Sequence, residues 1–192
     1  MGPALPWRHM TVAEFLDWDS GYRTGARWQL RDGEPEMMAP ASDPHGSILA
    51  ELVYLLTAPL RAGERRCRVV VEPGVIPRVR SAENWLIPDI GITCAPPSGA
   101  KMLIDPIVLV EILSPSNEAE TRANVWAYTT IPTVAEILLL RSTSVQAEVL
   151  RRQPDGSWPE QPAIVGDDGE LRLDSIGFAE PLRSANRTSG VG

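Results

Sequence analysis

Apolar positions change their period several times along this chain, and each change marks an element. Thr11 with Glu14 three residues on, leading into Val12, Phe15 and Leu16, predicts a capping box that opens a short amphipathic helix. In the run RWQLRDGEPEMM, Asp32-Gly33 separates two short strand-like segments and predicts a tight hairpin. Pro40 to Pro44 is a loop whose Ser42 or Asp43 is placed to cap the next helix. There Ile48, Leu49, Leu52, Val53, Leu55 and Leu56 recur at helical spacing, up to the breakers between Pro59 and Gly63. This is the predicted long packing helix.

Beyond it the pattern shortens and becomes rich in Val and Ile. CRVVV predicts a buried strand, VIPRVR a further extended segment, and WLIPDIGITC and DPIVLVEIL two more strands. A helix is predicted over 117–129, then strands in VAEILLL and VQAEVLRR. Nearly continuous apolar runs of this length belong to central strands covered on both faces. Residues 154–180 are rich in Pro, Gly and Asp, with seven carboxylates against Arg172 alone, and predict short strand fragments. The order predicts one α/β domain over residues 1–182, with a mixed central β-sheet flanked by α-helices. Its core spans about 11–150, its strand-rich acidic extension 151–182, and a flexible tail 183–192.

The composition, 43% hydrophobic and 22% charged over 192 residues, excludes global disorder. The longest apolar runs fall short of the ~18 residues of a membrane span, and the first residues hold no apolar run suited to a secretory signal. Cys67 and Cys94 make no disulfide framework and no metal-ligand spacing, and are expected to be small buried hydrophobes. A cytoplasmic chain without a membrane partner is expected. The net charge of −7 argues against a surface coated in basic residues for duplex DNA, though not against a local basic groove. Arg61 to Arg80 holds six arginines against Glu64 and Glu72, either a solvated loop face or a phosphate-contacting patch. Lys101 is the one lysine among 18 basic residues, so a mechanism that needs a catalytic lysine has a single candidate. His45 is expected to serve the start of the long helix, and the six tryptophans to serve packing or a subunit interface.

Two carboxylates stand out by their surroundings. Asp89 follows Pro88 inside WLIPDIGIT, and Glu111 interrupts IVLVEIL. A buried carboxylate is costly unless it pairs with an arginine, accepts backbone hydrogen bonds or holds a metal. Either acid alone reads as a strand-end residue that faces solvent or a salt bridge. Together they lie on consecutive strands, where neighbouring acids repel unless a cation or a proton intervenes. A hard divalent ion such as Mg2+ or Mn2+ suits oxygen ligands of this kind. If residues 117–129 are helical, Asn124 and Tyr128 share a face with Glu120 one turn earlier, and that face can cover the pair.

PDIGIT, then VLVEILSPS, then a helix ending in a tyrosine, with DGE upstream and AEILLL downstream, resembles the Uma-type family of bacterial restriction endonucleases, within the PD-(D/E)XK nuclease superfamily. The likeness covers about residues 11–150. It implies a restriction-endonuclease-like fold in which Asp89 and Glu111 hold Mg2+ and Glu34 of DGE contributes a further catalytic acid. It also implies DNA as substrate.

One departure matters. The superfamily places a lysine two residues after the strand glutamate, where Leu113 stands here. The resembled family carries it four residues before the helical tyrosine, where this chain has Asn124. Arg122 projects about 160° away from Asn124 on a helix. Lys101 reaches the site only if its loop folds over. The expected function is Mg2+-dependent hydrolysis of DNA phosphodiesters by metal-activated water, with Asn124 as an altered catalytic member. The alternative is an inactive relative that binds nucleic acid or protein. An unrelated small-molecule enzyme on a similar sheet is a third reading. A homodimer is expected from the need to cut two strands.

Overall fold

The computed structural model describes residues 9–18, 26–63 and 66–192. Trp7, Glu64 and Arg65, which belong to the expectations above, lie outside the described residues. The capping box forms: Thr11 Oγ1 accepts from Glu14 N, and the Glu14 carboxylate accepts from Thr11 N at 2.9 Å, opening α1 (Val12–Asp17). β1 (Trp28–Arg31) and β2 (Glu34–Met37) make the antiparallel hairpin. Asp32 and Gly33 both take positive φ at its turn, 48° and 80°, as a tight two-residue connection requires. Ser42 caps α2 (Asp43–Ala62), which has Pro44 in its first turn and buries Ile48, Leu52, Leu56 and Leu60 along one stripe.

Six strands form the central sheet in the order β3-β4-β5-β6-β7-β8: β3 (Arg68–Val71), β4 (Ile90–Thr93), β5 (Pro106–Leu113), β6 (Glu136–Arg141), β7 (Ala147–Arg151) and β8 (Ala163–Val165). β5 and β6 are parallel and every other pair is antiparallel. A parallel pair needs a crossover, and α3 (Glu118–Tyr128) supplies it. β9 (Glu170–Leu173) and β10 (Phe178–Pro181) form a separate hairpin. This is the mixed sheet with flanking helices that the sequence predicts.

Alternation along β4 and β5 divides the core between the two sheet faces. Ile90, Ile92, Val108, Val110 and Ile112 pack with the α2 stripe and with the β9–β10 hairpin. Leu109 and Leu113 pack on the opposite face with Val125 and Tyr128 of α3. A third cluster joins Val12 and Phe15 of α1 to Leu30 of β1, where Phe15 meets Trp18 and Trp85 in tilted contacts and Trp18 meets Trp28 edge-on.

Three expectations are corrected. The segment expected to be extended, VIPRVR, contributes a single bridge, Val75 to Leu86, and then turns. Arg183, the first residue of the expected tail, lies within a short helix α4 (Leu182–Ala185), whose Leu182 and Ala185 are buried with α2. Cys67 and Cys94 form a disulfide. Arg68 pairs with Thr93 at the end of the β3–β4 ladder, so the next residue on each strand stands opposite the other.

Candidate functional site

Asp89 sits one residue before β4. Since Ile90 pairs with Val110 in an antiparallel ladder, one step further brings Asp89 opposite Glu111 on β5. Both residues are buried. Alternation turns them away from the α2 core and toward the face that α3 crosses. Asp89 is held from two directions: Nε2 of His45 lies 3.0 Å from its Oδ1, and Ile112 N donates to its Oδ2 at 2.7 Å. Tyr128 Oη donates to Glu111 Oε1 at 2.7 Å. Burial, and then the charge of Asp89, push the Glu111 carboxyl well above the usual carboxylate range, against the opposing pull of the Tyr128 hydrogen bond. Burial and the neighbouring Glu111 charge push the Tyr128 hydroxyl up in turn.

The pair lies at a cavity of about 370 Å³. Part of the lining is α3, where Glu120 and Asn124 face the cavity one turn apart, and Tyr128 a further turn on is buried against Glu111. Asn124 is only 5% exposed, and its amide oxygen has no hydrogen-bond partner among the described residues. The β1–β2 hairpin supplies another part of the lining. Leu30 points into the apolar core, so Gln29 and Arg31 face the cavity with Glu36, whose Oε2 accepts from Gln29 Nε2 at 3.0 Å. Glu34, expected at the site, is exposed beside the hairpin turn and does not line the cavity. Glu36, two residues on, does.

The cations are distributed differently from the sequence expectation. Lys101 Nζ donates to the Leu16 carbonyl at 2.8 Å and borders a different, smaller pocket. Arg122 is held by Glu118 and Glu148, at 2.9 and 2.6 Å. None of the described arginines between Arg61 and Arg80 lines the cavity. Arg27 and Arg31 do. Arg27 pairs with Glu72, and Arg31 lies 3.2 Å from Glu36.

His45 is the functional candidate that the sequence hid. As the third residue of α2 it presents a helix-start position, and nothing local tells that this turn abuts the entry to β4. Its one signal was a histidine, one of two in the chain, just inside a capped helix.

Among the described residues, no cluster of three or more His, Cys, Asp or Glu side chains surrounds a position suited to a metal. Mg2+ does not require one, because it commonly takes one or two carboxylates and completes its shell with water and substrate phosphate. Asp89 and Glu111 offer two carboxylates that repel each other, and Asn124 a buried amide oxygen without a donor. This donor set fits a small, oxygen-preferring cation.

The mixed six-stranded sheet, its crossover helix and the carboxylates on its central strands define a restriction-endonuclease-like α/β protein. The sequence model of the Uma2 family, described as "Putative restriction endonuclease", matches residues 12–181, and the chain belongs to that family. It is 28% identical over 180 residues to a Synechocystis sp. protein described as "Uncharacterized protein slr1290", covering 92% of both chains. Its fold is similar to the crystal structure of a "putative nuclease belonging to DUF820" from Anabaena variabilis, with a TM-score of 0.74. That likeness covers 93% of this chain and 98% of the other at 17% identity. No helix among the described residues is long and apolar enough to cross a membrane.

Proposed function

We propose that this protein is a metal-dependent phosphodiesterase of the endonuclease type, with DNA as its substrate class and Mg2+ or Mn2+ as its cofactor. The observation that carries this reading is the buried Asp89–Glu111 pair lining one cavity. Asp89 and Glu111 would hold the metal, with the Asn124 amide oxygen within the same cavity. Bound there, the metal supplies Lewis-acid activation of the phosphate and a water made nucleophilic at neutral pH. The reaction is hydrolysis: water oxygen bonds to phosphorus, the ester P–O bond breaks, and the leaving oxygen takes a proton.

The protein's own part is positioning. His45 and the Ile112 amide fix the two oxygens of Asp89, and Tyr128 fixes Glu111, so neither carboxylate is free to rotate away from the cavity. Glu36, rather than Glu34, stands where a further acid can act on a ligand. Duplex cleavage calls for two such cavities, and we extend the proposal to a two-fold dimer. Sedimentation at micromolar concentration that finds only monomer counts against this extension.

Calorimetric titration with Mg2+ and Mn2+ tests the reading on wild type and on Asp89→Ala. Binding to the wild type and its loss in the variant are expected. Equal binding to both removes Asp89 from the ligand set and the reading with it. One observation favours a second reading, a non-catalytic nucleic-acid-binding relative: the neutral Asn124 cannot supply the positive charge of a lysine. Metal binding without cleavage of any DNA substrate is its expected signature.

A further inference from the structure

We propose that Arg31 is the phosphate-binding cation of this cavity. The proposal rests on the nuclease reading for its substrate class, and on the geometry of the β1–β2 hairpin for the residue. β1 alternates, so the same register that buries Leu30 turns Gln29 and Arg31 to the cavity that Asn124 of α3 also lines. The Arg31 side chain is 18% exposed, and its Nε is buried with no acceptor among the described residues. One terminal nitrogen lies 3.2 Å from Glu36. A guanidinium carries five N–H donors, so this pairing leaves it unsaturated. Arg31 lines the same cavity as Asp89 and Glu111, so the guanidinium and the carboxylate pair border one space.

Of the other cations, Arg122 is held by Glu118 and Glu148 and Lys101 by the Leu16 carbonyl, neither lining the cavity, and Arg27, which does line it, is paired with Glu72 and its side chain is 41% exposed. A planar guanidinium matches two oxygens of a phosphate, and as charge develops on the phosphoryl group it stabilises that charge without giving up a proton. Glu36 holds the same group in the absence of substrate and competes with phosphate for it.

That competition gives a test in which a structural role and a binding role have opposite signs. The probe is a short fluorescein-labelled DNA duplex, titrated without divalent metal between about 50 and 200 mM salt. Arg31→Ala is expected to weaken binding about tenfold and to reduce the slope of log affinity against log salt by about 1. Arg31→Lys is expected to keep the slope and lose part of the affinity, since a point charge replaces the fork. Glu36→Gln, which frees the guanidinium and keeps an amide oxygen for Gln29, is expected to tighten binding. If Arg31 only secures the hairpin, Arg31→Ala and Glu36→Gln change binding in the same direction, and the proposal falls. It falls equally if the wild type does not bind the duplex, or if Arg31→Ala leaves both affinity and slope unchanged while thermal unfolding shows it folded. Loss of the nuclease reading has a separate signature: metal binding indifferent to Asp89→Ala, with the opposite signs of Arg31→Ala and Glu36→Gln intact.

Discussion

The hydroxyl of Tyr128 donates a 2.7 Å hydrogen bond to Glu111 Oε1, and both side chains are buried. This bond joins the last turn of α3 to the middle of the central sheet. It is the one side-chain donor that the described structure gives Glu111. Tyr128→Phe keeps the ring in the core and removes only the hydroxyl, leaving a buried carboxylate short of a donor. The expected cost is about 1–3 kcal/mol, read as a drop of several degrees in the thermal midpoint. A midpoint unchanged from wild type in the metal-free protein would mean that Glu111 finds another partner.

Glu111→Gln is expected to act in the opposite direction. Burial and the facing Asp89 make the ionised Glu111 unfavourable, and a neutral amide removes the repulsion while keeping an oxygen for Tyr128. Gains from relieving a functional strain of this kind run about 0.5–2 kcal/mol. The metal-free variant should therefore unfold at a higher temperature than wild type and bind Mg2+ less well. Lower stability at neutral pH, with the fold retained, would show that the carboxylate is held comfortably.

How much of this was legible in the sequence depended on whether the signal was local. The hairpin at Asp32-Gly33 was, because a two-residue turn needs backbone conformations that few residue pairs adopt. Asp89 and Glu111 were legible because each interrupts an apolar run, and strand order then made them neighbours. The face Glu120–Asn124–Tyr128 followed from helical spacing alone. His45 was hidden, since its partner lies 44 residues away on an element whose contact with the helix start no local pattern encodes. Gln29 and Arg31 read as ordinary polar positions of a hairpin until the fold placed that hairpin over the sheet. The disulfide was hidden for the same reason: a separation of 27 residues says nothing, whereas the β3–β4 register puts the two cysteines opposite each other. Glu34 is exposed while Glu36, two residues on along the same strand face, lines the cavity, a difference of position that a motif does not resolve.

The acid side of the stability profile should report the network that anchors α3 to the sheet. Glu118 accepts from Arg122 and Arg141, and Glu148 from the same two arginines. Hydrogen bonding from Arg122, then from Arg141, holds the Glu118 carboxyl below its ordinary value of 4.5. A folded-state value below the unfolded one makes a contribution that is present above the unfolded value and is lost as pH falls through the folded one. Stability is therefore expected to fall as pH drops below about 4.5, and Glu118→Gln should flatten that part of the curve. Urea midpoints measured across this range check it. Curves for the variant and the wild type that run parallel through the acid limb would remove Glu118 from the account.

Asn124 is the position where the chain departs from its family resemblance, and the structure makes the departure testable. Its amide faces the cavity that holds Asp89 and Glu111, and its oxygen has no hydrogen-bond partner among the described residues to lose on substitution. Asn124→Lys would direct an ammonium into that space, where the two carboxylates can compensate it. A charge placed for the transition state is worth roughly 10²–10³ in rate at comparable electrostatic sites. The wild type is expected to cleave plasmid DNA weakly or undetectably with Mg2+, and Asn124→Lys to show a measurable gain. Lys101→Ala is the control, and it is expected to change nothing, because Lys101 is bound to the Leu16 carbonyl beside a different pocket. Strong wild-type cleavage abolished by Lys101→Ala would show that its loop swings over the site and that the assignment of position 124 is wrong. Strong wild-type cleavage that survives Lys101→Ala and falls with Arg31→Ala would show that the hairpin arginine already supplies the charge. A folded, metal-binding Asn124→Lys with no gain over an inactive wild type would mean that charge at this position is not what limits the reaction.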